Sequence, residues 1–181
     1  MTGTIILSSD IHGSLPALNQ LLERAKEHQA PTLLIAGDLC PSEDPAFVSL
    51  LHSGPHVVLV RGNCDNGYAF NQAKLPLPPL SRSIPYNDCT LLLTHGDRFP
   101  SPYGFSLKRG DMFVFGHTHH PKVQRDKDGI LLINPGSTTF PRTPLGPTYA
   151  VLDHEGVSIR SLDDGKPLTG YQYLFTFDKD Q

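Results

Sequence analysis

The chain contains no tryptophan, two methionines and only three cysteines in 181 residues. Cys40, Cys64 and Cys89 stand 24 and 25 positions apart with no Cys-x-x-Cys pair, which speaks against a disulfide framework and a thiolate-rich structural zinc site. A reducing compartment fits, and a cytoplasmic location is expected. Long apolar runs are missing as well. None approaches the ~18 residues a membrane span needs, and the opening "MTGTIILSSD" lacks a basic region followed by a long apolar stretch. Nor is there an excess of one charge: 15 Lys and Arg face 18 Asp and Glu, a net charge of −3. No global attraction for nucleic acid or membranes follows from that balance, so a bound anion has to be held locally. Repeats, low-complexity tracts and linkers long enough to divide the chain are absent too, and one domain over 1–181 is expected.

What the chain has is turns and short apolar runs. With 16 glycines and 17 prolines, loops are expected to carry much of the function. Runs rich in Ile, Val and Leu recur at Thr4–Leu7, Thr32–Ile35, Val57–Val60, Thr90–Leu93, Met112–Phe115 and Ile130–Ile133, and read as buried strands. Between the first two, Leu15, Leu18, Leu22 and Ala25 recur at helical spacing behind Ser14 as N-cap and Pro16 in the first turn. A second helix is expected over Pro45–His52, where Phe47, Leu50 and Leu51 share a face. This βαβαβ opening predicts a mostly parallel sheet covered by helices. After a proline-crowded stretch from Leu75 to Pro85, the runs "YAVLD", "VSIRSL" and "YQYLFTF" suggest further strands, so the class is α/β in front with a mixed or antiparallel sheet behind.

Chemistry gathers where these strands end. Asp10-Ile11-His12-Gly13, Gly37-Asp38, Gly62-Asn63, His95-Gly96 and Gly116-His117-Thr118-His119 each follow an apolar run, with a glycine close to a metal-capable side chain. In open α/β sheets ligands bind beyond the carboxyl ends of strands, and glycine lets backbone approach a bound ion or anion. The candidate ligands are therefore Asp10, His12, Asp38, Asn63, His95, His117 and His119. Seven nitrogen and oxygen donors exceed one tetrahedral ion with an open position and suit two ions bridged by a carboxylate and water. Imidazole-rich ligation favours Mn, Fe, Zn, Co or Ni over Mg or Ca. Two divalent ions against two carboxylates leave about +2 for a hydroxide and an anionic substrate, and a phosphate ester is the natural guest.

The ordered strings "SSDIHGS", "LIAGDLC", "VRGNCDN", "LTHGD", "FGHTHHP" and "INPGS" resemble the calcineurin-like metallophosphoesterase superfamily, most closely the small bacterial and archaeal phosphodiesterases of the YfcE type. The likeness runs from about Thr4 to Ser137. It implies an α/β sandwich of two stacked mixed β-sheets flanked by α-helices. It also implies that Asp10, His12 and His119 hold a first metal, that Asn63, His95 and His117 hold a second, and that Asp38 bridges them. The implied reaction is phosphodiester hydrolysis, with a metal-bridging hydroxide attacking phosphorus in line and Asp38, Asn63 and Cys64 in the catalytic centre. Manganese is the leading cofactor, with Zn²⁺, Fe, Ni²⁺ and Co²⁺ admitted. A small phosphoester substrate is expected as the partner, with a homo-oligomer left open.

Two other readings share the resemblance. One is a phosphomonoesterase or nuclease of the same superfamily. The other is a protein-binding scaffold like the retromer subunit Vps29, which carries Asp at the Gly-Asn position and a bulky Phe where Cys64 stands; Asn63 and the other six ligand types favour catalysis here. Most of the superfamily places histidine at the position of Cys64. A thiol lowered beside cations becomes thiolate and has no proton to give, which suggests diesters with stable leaving groups. An inert, space-filling Cys64 is the plainer alternative; as a ligand it is disfavoured, since the neighbour of Asn63 should point elsewhere. Arg61 is expected to pair with Asp65 rather than lean toward a phosphate. Lys108, Arg109 and Arg98 read as solvated surface before a basic lip. His28, His52, His56 and His154 lie outside the site, His120 at most on its rim, and Asn134–Ser137 is either a structural turn or a substrate contact.

Overall fold

The computed structural model describes residues 3–175. Two sheets make up its strands. The first has the order β11-β10-β9-β1-β2-β3, from β1 (Ile5–Ser8), β2 (Thr32–Ile35), β3 (His56–Leu59), β9 (Thr148–Leu152), β10 (Gly156–Ser161) and β11 (Pro167–Leu174). The second has the order β4-β5-β6-β8-β7, from β4 (Ser81–Tyr86), β5 (Cys89–Thr94), β6 (Met112–Val114), β7 (Lys122–Arg125) and β8 (Leu131–Asn134). Strands β1, β2 and β3 run parallel, as do β5, β6 and β8, while the flanking strands are antiparallel. Both sheets are mixed, as expected.

Alternation along the strands explains the layers. Ile5 and Leu7 of β1 face one way, into a core shared with Leu91, Leu93, Met112 and Val114 of the second sheet; Ile6 faces the other way, toward the helices. Helix α1 (Leu15–Glu27) starts at Ser14, whose side chain accepts from the Ala17 amide at 3.3 Å. Its buried residues are Ala17, Leu18, Leu21 and Ala25; Leu15 and Leu22 border that stripe, which turns the helix by about one position from the predicted face. Helix α2 (Pro45–Ser53) is capped by Asp44 and buries Phe47 and Leu51 in the same layer. Among the described residues, helices cover only the first sheet. The outer face of the second is closed by Phe105 and Leu107 from a loop.

Three elements were not expected: the short α3 (Gly67–Gln72), β4 and β7. Strand β4 lies inside and beyond the proline-crowded stretch and contains Pro85. It is a sheet edge, where a missing N–H does not interrupt pairing between two neighbours. Strand β7 reads "KVQR", polar and half-exposed, and so carries no apolar run. The run at Val57–Val60 is not the buried strand its composition suggested. As β3 it forms the other sheet's edge, with His56 exposed and its next three residues half-buried. "YQYLFTF" pairs as β11 through Leu174; Thr176 and Phe177 lie outside the described residues. Among those residues no helix is long and apolar enough to cross a membrane.

Candidate active site

The parallel strands of both sheets point their carboxyl ends to one edge of the sandwich. Asp10 and His12 follow β1, Asp38 follows β2, Asn63 follows β3, His95 follows β5, and His117 and His119 follow β6. A strand ends there because its backbone turns. Asp10, His12, Asp38, His117 and His119 all adopt positive φ, between 47° and 63°, as does Cys40 at 46°. A non-glycine residue in that region costs about 1 kcal/mol or more and persists only where its surroundings hold it. Among the described residues, five of the nine non-glycine positions with positive φ thus belong to the candidate ligands.

Two glycines let the strand ends close in. A Cβ on Gly116 would overlap Ser9 Oγ and stand 2.8 Å from Asp10 Oδ2; one on Gly62 would overlap Asp38 Oδ1 and stand 2.5 Å from the Asp38 amide nitrogen. Neither position admits a side chain.

Donor atoms of Asp10, His12 and His119 lie within 4.8 Å of one another, and so do those of Asp10, Asp38 and His95. His12 Nε2 is 3.8 Å from both Asp10 Oδ1 and Asp38 Oδ2, and His95 Nε2 is 3.4 Å from Asp38 Oδ2 and 3.1 Å from Asn63 Oδ1. The far ring nitrogens are occupied. His95 Nδ1 donates to the Ala36 carbonyl at 2.7 Å and His119 Nδ1 to the Phe140 carbonyl at 2.6 Å, since a carbonyl can only accept. Each ring thereby turns Nε2 toward a carboxylate, the orientation of metal-ligating histidines. Asp10 Oδ1 and His12 Nε2 are buried with no hydrogen-bond partner among the described residues, although His119 Nε2 comes within 3.1 Å of that oxygen. Buried donor atoms facing one another without hydrogen bonds fit a cation between them.

The electrostatics point the same way. Burial alone would raise the Asp38 carboxyl, but His95 and the Cys64 amide hold it at about 2. Burial would lower His95, yet Asp38 more than reverses this and brings it to about 9. The contact with the Asp10 carboxylate raises His119 against the opposing effect of burial. The cluster favours positive charge at its centre.

Not every expected ligand enters these groups. His117 is exposed and packs edge-on against His95, ring centroids 5.2 Å apart, in the same cleft but outside the tight sets. Cys64 departs further from expectation. Its side chain does not point elsewhere: the thiol lies within 4.8 Å of His12 and Asp38 donor atoms and accepts from Asn63 Nδ2 at 3.3 Å. The protein's own groups also act against the expected lowering, because burial and the Asp38 carboxylate push the thiol up to about 11.

Arg61 forms no ion pair with Asp65. The Asp65 carboxylate is buried and instead accepts from the amides of Asp38 at 3.0 Å, Cys40 at 2.8 Å and Gly62 at 2.8 Å. This tie between two ligand loops was missed in the sequence; the only signal was an acid two positions after Asn63. Cys40, 3.8 Å from His12 Nδ1, was missed likewise. Asn134–Ser137 is structural: Asn134 Nδ2 donates to Gly116 O at 2.8 Å and Thr118 Oγ1 at 3.0 Å, and Ser137 Oγ donates to Asp10 O at 3.0 Å. Lys108 and Arg109 line a separate cavity with the β4–β5 turn, at the opposite strand ends; the cation beside the ligands is Arg142. His120 is exposed and folds back on the Thr118 carbonyl.

Residues 4–156 match the calcineurin-like phosphoesterase superfamily domain. The chain is 33% identical to phosphodiesterase YfcE of Escherichia coli over 171 residues, 88% of this chain and 92% of that protein. The solved structure of that E. coli phosphoesterase superposes with a TM-score of 0.84 at 29% identity, covering 96% of this chain and all of the other. Vacuolar protein sorting 29 of Cryptosporidium parvum shares the fold at a TM-score of 0.60 and 21% identity, over 92% of this chain and 94% of its own. With its strand-end histidines and carboxylates gathered in one cleft, the chain belongs to the calcineurin-like phosphoesterase superfamily and is a metal-dependent phosphoesterase.

Proposed function

We propose that the protein hydrolyses phosphodiesters with two divalent ions, manganese the leading candidate. Asp10, His12 and His119 would hold one ion, Asn63, His95 and His117 the other, with Asp38 between them. The observation that carries this reading is the pair of donor groups, Asp10/His12/His119 and Asp10/Asp38/His95, meeting at buried carboxylates. When bound, two such ions supply a nucleophile from water at neutral pH and neutralise charge developing on the phosphoryl oxygens.

The chain's own groups have separable parts in this reading. The carbonyls of Ala36 and Phe140 hold the Nδ1 protons of His95 and His119, so Nε2 is the nitrogen each ring would turn to an ion in place of its own proton. The Cys64 amide occupies Asp38 Oδ1 and leaves Oδ2 toward His95 and His12. Arg142, which lines the same cleft, would put a cation beside a bound phosphate. The diester preference draws support from the relative named a phosphodiesterase. The scaffold reading draws less, because likeness to a sorting protein at 21% identity concerns the fold alone.

The test is hydrolysis of an activated aryl phosphodiester and its monoester, with and without Mn²⁺, alongside metal content per chain. About two ions and faster diester turnover are expected. Faster monoester turnover would move the reading to a phosphatase, and no metal with no hydrolysis would move it to a scaffold.

A further inference from the structure

Thr139 to Arg142 form the wall of the cleft beside the ligands. Phe140 is tied to the site twice: its carbonyl accepts from His119 Nδ1, and its ring lies 5.1 Å from that of His12, tilted by 57°. Yet the residue stays 56% exposed. The ring thus touches His12 at a tilt while more than half of the residue stands open to solvent in the cleft. Two positions on, Arg142 is the only Lys or Arg among the residues lining the cleft, and it has no carboxylate partner among the described residues. Its amide approaches the His119 carbonyl at 3.4 Å, which keeps this segment beside the ligands. The cleft measures about 590 Å³, a volume in the range of pockets that take a whole nucleotide-sized ligand rather than a bare phosphate.

Resting on the phosphoesterase reading of this site, we propose that its substrate carries one planar aromatic arm, a nucleobase or an aryl ring. That arm stacks on the open face of Phe140 while Arg142 pairs with the phosphoryl oxygens. The two residues act on different parts of the ligand. A guanidinium fork recognises phosphate oxygens whatever the ester arm, whereas a phenyl face rewards only a flat π-surface.

The division of labour can be measured without turnover. Manganese-loaded protein is titrated calorimetrically with AMP and ribose 5-phosphate, which share a phosphomonoester and differ in the base, and with phenyl and methyl phosphate. The ring-bearing member of at least one pair should bind about fivefold tighter or better, the lower end of base stacking on an aromatic side chain. Phe140→Leu, which keeps bulk against His12, should bring that ratio close to one. Arg142→Gln should weaken all four ligands by roughly tenfold and leave the ratios in place. Preference in the first pair assigns a nucleobase, and preference in the second alone assigns an aryl arm. Equal affinities within both pairs, or a ratio that survives Phe140→Leu, overturn the aromatic arm while diester hydrolysis keeps the phosphoesterase reading intact. Binding of none of the four, with no hydrolysis, overturns that reading and this one with it.

Discussion

The backbone amide of Cys64 donates a 2.8 Å hydrogen bond to Oδ1 of Asp38. One oxygen of that carboxylate is thus committed to the neighbouring ligand loop, and the other, Oδ2, faces His95 at 3.4 Å and His12 at 3.8 Å. Asp38→Asn preserves the shape but not the charge. Its amide oxygen would keep the Cys64 contact and turn the NH₂ group, which has only protons to offer, toward His95 and His12 where the proposed ion would need a negative oxygen. Manganese content should fall, and diester hydrolysis should drop by at least about a hundredfold, more than is usual for loss of a group behind the ligands. Elemental analysis and initial rates on the purified variant check both. Full metal occupancy with full activity would remove Asp38 from the site.

Asp65 organises the same loops from behind. It accepts three backbone amides although burial and the nearby Asp38 charge raise its pKa. Truncation by Asp65→Ala would leave buried N–H groups of Asp38, Cys40 and Gly62 without a partner, at about 1 kcal/mol or more each. A loss of roughly 3 kcal/mol in unfolding free energy is expected, with weaker metal binding. Asp65→Asn retains one accepting oxygen and should lose less than half as much. Urea denaturation in chelator measures the folding effect apart from the metal. Equal stability of Asp65→Ala and the parent chain would contradict this account.

Most of the candidate cluster was legible because chemistry and backbone requirement coincide in the sequence: His12, Asp38, Asn63, His95 and His117 sit next to glycines just past apolar runs, with Asp10 and His119 two positions from His12 and His117. Such runs announce strands, and parallel strands bring their ends together. What stayed hidden depends on distant pairing. Asp65 reads as one more surface acid until three amides from two loops are seen converging on it. Phe140 and Arg142 lie in a stretch with no periodicity, and only the fold carries that stretch back to His12 and His119. The edge positions of β3 and β4 were equally invisible, because local composition says whether a segment extends and not whether it has neighbours on both sides.

A pH dependence unrelated to the metal is expected from His28 at the end of α1. Its Nε2 lies 3.1 Å from the hydroxyl of Tyr149, which is buried in the layer beneath the helices. Burial, reinforced by the charge of Arg160, lowers the imidazole below its ordinary 6.5. The unfolded chain therefore binds this proton more readily than the folded one. Stability from the neutral ring is full above about 6.5 and is lost as pH falls from there through the lowered folded value. Denaturation midpoints between pH 5 and 8, taken in chelator, should fall on the acid side. His28→Gln should flatten that fall, and a variant with the parent's slope would assign it to other groups.

Cys64 is the position at which specificity should be most easily moved. Its thiol stands within 4.8 Å of donor atoms on His12 and Asp38, and burial with the Asp38 charge pushes it up to about 11. A thiol held there parts with its proton reluctantly. In the metal-free chain it is a weak general acid at neutral pH, and beside bound cations it would turn toward thiolate with no proton to give, so either way it falls short of a donor of pKa near 7. An ester whose leaving group departs without a proton escapes this handicap, whereas a basic leaving oxygen does not. Cys64→His places an imidazole of ordinary pKa ~6.5 at the same point of the cleft. Turnover of esters with poor leaving groups should rise by up to the ~10²- to 10⁴-fold that general acid catalysis supplies, while activated aryl esters gain little. The reading is the slope of rate against leaving-group pKa, measured for parent and variant on one series of phosphate esters. A shallower slope in Cys64→His assigns the missing proton to this position; parallel slopes would leave Cys64 as a space-filling side chain and place the proton donor elsewhere in the cleft.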